Sequence, residues 1–279
     1  LIQLELGVTS WDALSDALFR LRAFLIVVFG DIPAVSLLMR MKGHNAVFPC
    51  RMCKIQGIRN DTTKTLYVPL DRRNFAHDDD IYDAFSLPLR SHEEFLASAA
   101  EVDNARNDAE ADRLSKKSGI KGTALLSSLS SLSFPTSFPF GFMHQIWENL
   151  IPNLVDLWTD NFKELDLSDA PFRIPPDAWE AIGADCSASG NTIPSAFGRR
   201  VPNIATTRTE FTAEAWCLFA LHIAPALLRK RFRDKRYYVH FIELIQLLEL
   251  CLQFEISTDD IGRIRTGFAK WVQDYERYV

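Results

Sequence analysis

Residues 21–31 read LRAFLIVVFGD, an apolar run that ends in glycine and is followed at once by an acidic residue. A continuous apolar run of this length predicts a β-strand that is buried on both faces. Asp31 would then stand at the carboxyl end of the strand, where open α/β sheets hold their ligands. Pro33 and the apolar spacing from Ala34 to Met41 predict a helix that stops at Gly43. The alternative role for Asp31 is the N-cap of that helix.

The composition predicts a globular fold, and the start at Leu1 rather than Met predicts a fragment of a larger protein. The chain has 279 residues, of which 47% are hydrophobic and 24% are charged, enough to bury one large core or two small ones. It starts at Leu1 without a signal peptide, and its longest apolar run near the start is far below the roughly 20 residues that a membrane-spanning helix needs. Five scattered cysteines indicate a reducing compartment. A net charge of −5 argues against this chain being a main nucleic-acid clamp.

Outside this run the regular pattern is helical. The stretch from His44 to Leu89 is irregular, and so are residues 166–210 around one short helix. The predicted helices share apolar spacing of three and four residues or a recognisable first turn. They cover residues 11–20, where the spacing is loose, and residues 91–117, which follow a capping box. The others are residues 143–158, a segment from Thr212 that Pro225 kinks, residues 237–254 and residues 259–278.

Cys50 and Cys53 form a Cys-x2-Cys pair, and His44 lies six residues before it. This spacing allows a turn to present two thiolates and one imidazole to a tetrahedral zinc ion. His92 is the preferred fourth ligand, because it would join the loop to the following helix, and His77 is the alternative. The competing interpretation is a pair of buried thiols without a metal. The sequence thus predicts a structural zinc site.

Two further residues are candidates for chemistry. Glu214 lies in the first turn of the helix after Thr212, where its carboxylate could reach a metal, and Glu210 is the neighbouring alternative. Glu214 could instead be a favourable charge at a helix N-terminus. His144 precedes an apolar helix and could be a candidate site residue or a hydrogen-bonded core histidine.

The chain has one dense basic cluster, whose cations alternate with aromatic residues. Such a pattern suits a nucleic-acid backbone, although a solvated helix end has the same composition. The predicted DNA-binding residues are Arg229, Lys230, Arg231, Arg233, Lys235 and Arg236, with a smaller pair at Arg199 and Arg200.

Eight short blocks, spread over nearly the whole chain, together resemble fungal transposases of the CACTA/Plavaka type. They are GDIPA at 30–34, KGHN at 42–45, PCRMC at 49–53, LPLRSHEEF at 87–95, FMH at 142–144, WEN at 147–149, RRVPNI at 199–204 and TAE at 212–214. The resemblance implies an RNase H-like α/β core with an Asp-Asp-Glu triad, interrupted by a large, mainly helical insertion.

On that resemblance, the expected fold is mostly α with a small β component and an incomplete RNase H-like core. Residues 1–48 would form the C-terminal part of the RNase H-like core and carry Asp31, the second Asp of the triad. Residues 49–210 would form the insertion with the zinc loop, and residues 211–279 a helical region with Glu214 as the third acidic residue. The triad would bind two Mg²⁺ ions for DNA strand cleavage and transfer in the nucleus.

Two departures from the family predict a chain that does not cut DNA. The first Asp of the triad would precede Leu1, and Gly141-Phe-Met-His144 stands where the family has Asp-x-x-His. Enzyme activity is therefore uncertain, and transposon-end DNA remains the expected partner, without a membrane and with homo-oligomerisation left open. A second hypothesis is a non-catalytic, zinc-stabilised helical module that binds DNA or protein. A third and weaker one is an unrelated metal-dependent hydrolase that uses Asp31 and Glu214.

Overall fold

The structure, a computed structural model, describes residues 1–59, 66–73, 81–163 and 165–278. Most of the regular structure is helical, and the described strands form two small two-stranded sheets. The predicted class, mostly α with a small β component, is confirmed. No helix of the described residues combines the length and apolar character that crossing a membrane requires.

The chain divides into two compact units, each built from two segments. Unit 1 comprises Leu1–Pro69 and Leu87–Gly141, and unit 2 comprises Leu70–Ser86 and Phe142–Val279. The main boundary between these units falls at residue 141, and the division of the chain at residues 48 and 210 stays a prediction.

The described residues of unit 1 form four α-helices and two antiparallel pairs of strands. The helices are α1 Ile2–Leu6, α2 Ile32–Leu38, α3 His92–Asp103 and α4 Asp108–Ser118. The strands are β1 Val8–Asp12 with β2 Ala17–Leu21, and β3 Ile58–Arg59 with β4 Leu66–Tyr67. The core of the unit is an apolar cluster that includes Val35, Met39, Phe95, Ile120, Phe134 and Phe138.

The first hairpin replaces the helix expected for residues 11–20. The carboxylate of Asp12 accepts hydrogen bonds from the Leu14 amide at 2.9 Å and the Ser15 hydroxyl at 2.7 Å. Asp16 adopts a left-handed φ of 51°. This local turn chemistry reverses the chain between β1 and β2, which a helix would not allow.

The predicted buried strand at 21–30 is wrong. Regular strand structure ends at Leu21, and residues 22–30 belong to no sheet. Only Leu25 and Val28 pack against the core of unit 1. A strand buried on both faces needs neighbouring strands and a covering layer, and the described residues of unit 1 provide neither for this segment.

The capping box is present as predicted, but the helix after it is broken. The Ser91 side chain accepts from the Glu94 amide, and the Glu94 side chain accepts from the Ser91 amide. Helix α3 ends at Asp103, and α4 starts anew because Asn107 caps it through the Glu110 amide. An alternative helix start inside the polar stretch therefore divides what the sequence predicted as one helix.

Apart from an isolated β-bridge between Asp71 and Ile81, the described secondary structure of unit 2 is helical. A π-helical turn, Met143–Leu150, leads into α5 Ile151–Trp158, and a second one, Phe219–Ile223, links α7 Ala213–Leu218 to α8 Ala224–Leu227. The remaining helices are α6 Pro176–Ser189, α9 Lys235–Cys251 and α10 Thr258–Tyr278. The Thr212 cap and the apolar side of 143–158 are confirmed: Ile146, Trp147, Leu154 and Leu157 are buried.

Helices α9 and α10 are joined by a reciprocal contact. The imidazole of His240 lies stacked on Trp271, with ring centroids 4.5 Å apart, and its Nε2 is 2.9 Å from the Trp271 carbonyl. In return the indole of Trp271 donates to the His240 carbonyl at 2.9 Å. These two buried ring nitrogens therefore each have a backbone partner.

The short first segment of unit 2 is held by the last helix. The carboxylate of Glu276 accepts hydrogen bonds from the backbone amides of Leu70, at 2.6 Å, and Asp71, at 3.1 Å. This contact spans 206 residues of sequence. The unit is therefore completed by residues from opposite ends of its sequence.

Candidate functional sites

Asp31 is a helix cap in the structure. Its carboxylate Oδ1 accepts a hydrogen bond from the Ala34 amide at 2.5 Å, and Pro33 occupies the first turn of α2. The side chain is exposed, and no strand precedes it directly. The placement of Asp31 at a strand end is therefore wrong, and the alternative role as N-cap is the one observed.

Cys50 and Cys53 lie side by side in unit 1. The backbone amide of Cys53 donates to the sulfur of Cys50 at 3.3 Å. A hydrogen bond from the Cys53 thiol lowers the pKa of Cys50 to about 6, with help from the Cys53 and Met52 amides and the charge of Arg90. The same bond, together with burial, raises the pKa of Cys53. Cys50 is therefore the more acidic thiol of the pair.

Two buried arginines surround this pair, and sequence reasoning missed both. The Arg90 Nε donates to the carbonyls of Cys50, at 3.1 Å, and Cys53, at 3.2 Å. Arg51 is only 2% exposed, and its guanidinium lies 4.2 Å from the centre of the Phe140 ring. Arginine is seldom buried without a partner, so composition alone gives no signal for this arrangement.

The histidines proposed as zinc ligands are not gathered around the thiols. Among the described residues, no group of three or more His, Cys, Asp or Glu side chains lies close enough to hold a metal. The Nδ1 of His92 accepts from the Phe134 amide at 2.9 Å, and His44 is exposed. His77 lies outside the described residues. The donor set seen here is two sulfurs beside two cations, which fits tetrahedral zinc incompletely, so zinc stays a prediction.

Glu214 is placed in the first turn of α7, as predicted, and its side chain is exposed. It lies over Gly198, where an added Cβ would stand 2.5 Å from Glu214 Oε1. Burial, together with the charge of Glu214, raises the pKa of Cys217. Glu214 belongs to unit 2 and Asp31 to unit 1. Magnesium binding by these two residues therefore stays a prediction, as does a role for Glu210, which is exposed in a short 3-10 turn.

His144 lies in the π-helical turn that opens unit 2. Its Nδ1 contacts the carboxylate of Glu148 one turn later, and the side chain of Asn149 donates to its backbone carbonyl. These partners lie within the same helix, so the ring is held locally. The core-histidine alternative is not what is observed, because the side chain is only partly buried.

The basic cluster forms the turn between α8 and α9, and we call residues 229–236 the basic turn. Phe232 anchors it, since this ring is buried and packs edge-on against Trp158 with centroids 5.4 Å apart. Asp234 caps α9 by accepting from the Arg236 amide at 2.8 Å. The cations of the turn are exposed, apart from the partly buried Arg231, whose Nε donates to the Leu227 carbonyl.

The basic turn keeps most of its charge free. Arg236 pairs with Asp234 at 2.8 Å. Among the residues that the structure describes, no carboxylate pairs with the other cations of the turn, which are Arg229, Lys230, Arg231, Arg233 and Lys235. The smaller pair, Arg199 and Arg200, is also exposed, in the loop before Val201. Within unit 2 the basic turn is therefore a positively charged surface that the buried Phe232 side chain anchors.

The helix dipole favours the positions of the cations in only the first half of the basic turn. Arg229, Lys230 and Arg231 follow the carboxyl end of α8, where cations are favourable. Lys235 and Arg236 stand in the first turn of α9, where a cation opposes the dipole. An anion held at this point would face both the helix N-terminus and the free cations.

Comparison of the chain with protein-family models, with curated proteins and with solved structures found no match.

Proposed function

We propose that this chain is a nuclear, transposase-derived module that binds the phosphate backbone of DNA through the basic turn and does not cut DNA by itself. The observation that carries the proposal is the basic turn, in which six cations accompany one carboxylate within eight residues. Buried Phe232 fixes these cations in place.

Charge distribution supports a contact with the DNA backbone that is confined to the basic turn rather than spread over the whole surface of the chain. The whole chain carries a net charge of −5, so it repels polyanions except where cations are concentrated. Phosphate contacts position a protein on DNA without reading its sequence. The proposal is therefore of weak, strongly salt-dependent binding, with little discrimination between sequences.

The transposase ancestry rests on the resemblance of the eight sequence blocks. Within it, residues 1–48 would correspond to part of an RNase H-like core. The proposed loss of cleavage is supported by Gly141, which cannot serve as a metal ligand through a side chain, and by the capping role of Asp31. We expect no Mg²⁺-dependent strand cleavage when the full chain is incubated with duplex DNA. Detection of such cleavage, abolished by Asp31→Asn, would overturn this part of the proposal.

The binding proposal is tested with the full chain and a fluorescently labelled DNA duplex. Anisotropy titrations at several salt concentrations give the affinity and its salt dependence. The variant carries alanine at Arg229, Lys230, Arg233 and Lys235. We expect its affinity to fall at every duplex sequence, and the slope of log K against log salt to decrease by about 0.9 for every phosphate that the variant no longer neutralises.

A matched control separates the basic turn from overall charge. Alanine at four other exposed cations, Arg106, Lys117, Lys121 and Arg265, gives the same change in net charge. We expect this control to bind DNA nearly as the unmodified chain does. Equal losses of affinity in the two quadruple variants would show that the basic turn has no special role.

A further inference from the structure

The segment Phe24–Phe29 displays an apolar strip, which we define as Phe24, Ile26, Val27 and Phe29. These side chains are 54%, 67%, 43% and 73% exposed, respectively. No charged residue interrupts the stretch from Ala23 to Gly30. Contiguous apolar surface of this kind marks an interaction site or an aggregation hazard.

The backbone of the same segment is largely available for strand pairing. Its inner side is held to unit 1, because the Val28 amide donates to the Ser137 carbonyl at 2.8 Å and the Leu25 carbonyl accepts from the Ser131 hydroxyl at 2.8 Å. No described strand pairs with residues 22–30. Proteins normally protect such an edge with lysine, proline or a covering element, and the apolar strip contains neither lysine nor proline.

The charges at the two ends of the strip favour a second copy of the chain as its partner. Arg22 stands just before the strip and Asp31 just after it, and both are exposed. If two copies align antiparallel, each Arg22 lies beside the Asp31 of the other copy, while a parallel alignment brings like charges together. The Asp31 cap uses Oδ1, which leaves Oδ2 free to accept from an arginine.

We propose that two copies of this chain associate through antiparallel pairing of their apolar strips, closed at each end by an Arg22–Asp31 ion pair. A twofold arrangement uses the same surface on both subunits and is self-limiting. It satisfies the unpaired backbone and brings the apolar side chains of each strip into contact with their cross-strand neighbours. The interface is independent of the basic turn, which belongs to unit 2.

Sedimentation velocity of the full chain over a wide concentration range tests the dimer. We expect a monomer–dimer equilibrium that Ile26→Lys abolishes. Leu125→Lys is the matched control, because Leu125 is 88% exposed in the same unit but outside the strip, and this variant should dimerise normally. An unmodified chain that stays monomeric throughout, or equal effects of the two lysine variants, would overturn the proposal.

A charge exchange tests the antiparallel register. Arg22→Glu places two carboxylates together at each end of the pair and should weaken the dimer about tenfold or more. Adding Asp31→Lys to Arg22→Glu restores opposite charges and should recover most of the affinity. Failure of this recovery would exclude the ion pair, provided that circular dichroism shows the same helix content in both variants.

Two further measurements separate dimerisation from helix stability and from DNA binding. Asp31→Asn keeps an N-cap side chain but removes the charge, and it should weaken the dimer without a loss of helix. DNA binding measured on monomeric Ile26→Lys should match that of the unmodified chain at low concentration, so a failure of the dimer leaves the function of the basic turn unaffected. Open-ended oligomers that resist Ile26→Lys would count against a closed pair.

Discussion

At the scale of single residues, buried cations and caps determine the local structure more than the predicted site residues do. Arg90 donates hydrogen bonds to the carbonyls of both Cys50 and Cys53, so hydrogen bonds within the protein hold this loop together. Hydrogen bonds to a buried charge are among the stronger ones in proteins. The irregular loop that carries the predicted zinc site is therefore ordered by hydrogen bonds from Arg90.

Asp31 gives the first residue-scale prediction. Since its carboxylate caps α2, Asp31→Ala should lower the free energy of unfolding by about 1 kcal/mol, and Asp31→Asn should lower it much less. Urea titrations followed by circular dichroism measure both values. An alanine variant as stable as the unmodified chain would contradict the capping role.

The zinc prediction is also a statement about single residues. If the Cys-x2-Cys pair holds zinc, the purified chain should contain about one zinc ion per molecule. Cys50→Ser and Cys53→Ser should each remove it, whereas Cys251→Ser, which changes a cysteine of unit 2, should not. Metal analysis of the four proteins tests this. An unmodified chain without zinc would contradict the prediction, and the thiol pair would then be held by Arg90 without a metal.

At the scale of elements, the sequence predicted best where local chemistry sets the structure. The capping box at Ser91, the Thr212 cap and the apolar spacing of 143–158 all depend on residues within one or two turns, and all were confirmed. The apolar run at 21–30 was misjudged, because a buried strand depends on neighbours that its own residues cannot specify. The burial of Arg51 was missed for the same reason.

Helix α10 offers a matched pair of glycines that differ in their surroundings. An added Cβ at Gly262 meets no atom within 4 Å, while at Gly267 it would overlap the side chain of Leu247. Gly262→Ala should stabilise unit 2 by about 0.5–1 kcal/mol through helix propensity. Gly267→Ala gains the same propensity but overpacks α9, so we expect a net loss of about 1 kcal/mol.

Chemical denaturation of the two alanine variants measures these changes. Combining Gly267→Ala with Leu247→Ala should relieve the overlap, so that the two effects are not additive. Additive effects would mean that α9 and α10 are not in close contact at this point.

The α9–α10 contact also predicts a pH dependence of stability. Burial lowers the pKa of His240 below its usual value of 6.5, against smaller opposing effects of the Trp271 carbonyl, Glu243 and Asp274. The unfolded chain therefore takes up this proton first as the pH falls. The stabilising effect is fully present above pH 6.5 and is lost progressively below it.

Urea titrations near neutral pH and about one unit below the unfolded pKa test this dependence. His240→Gln cannot titrate and should lose this part of the pH dependence, although it is less stable overall. His222→Gln, which changes an exposed histidine, is the control and should behave as the unmodified chain does. A pH profile unchanged by His240→Gln would contradict the role of this histidine.

At the scale of the whole molecule, the residues on which a catalytic mechanism would depend are distributed over both units. Asp31 and the thiol pair belong to unit 1, whereas Glu214, His144 and the basic turn belong to unit 2. The sequence could not predict this division, because both units are assembled from separate segments of the chain. The predicted fold class was correct in that the chain is mostly helical with a small β component. The arrangement of the candidate sites could not be predicted, because it depends on contacts between residues that are far apart in sequence.

The contact of Glu276 with Leu70 and Asp71 has a consequence for the order of events during synthesis. The two amides leave the ribosome more than 200 residues before the carboxylate that will bind them. During translation this segment therefore remains without its anchor until Glu276 has been synthesised. A nascent chain arrested before residue 276 should be cleaved by protease near Leu70, and a chain that extends past residue 276 should be protected at the same bonds.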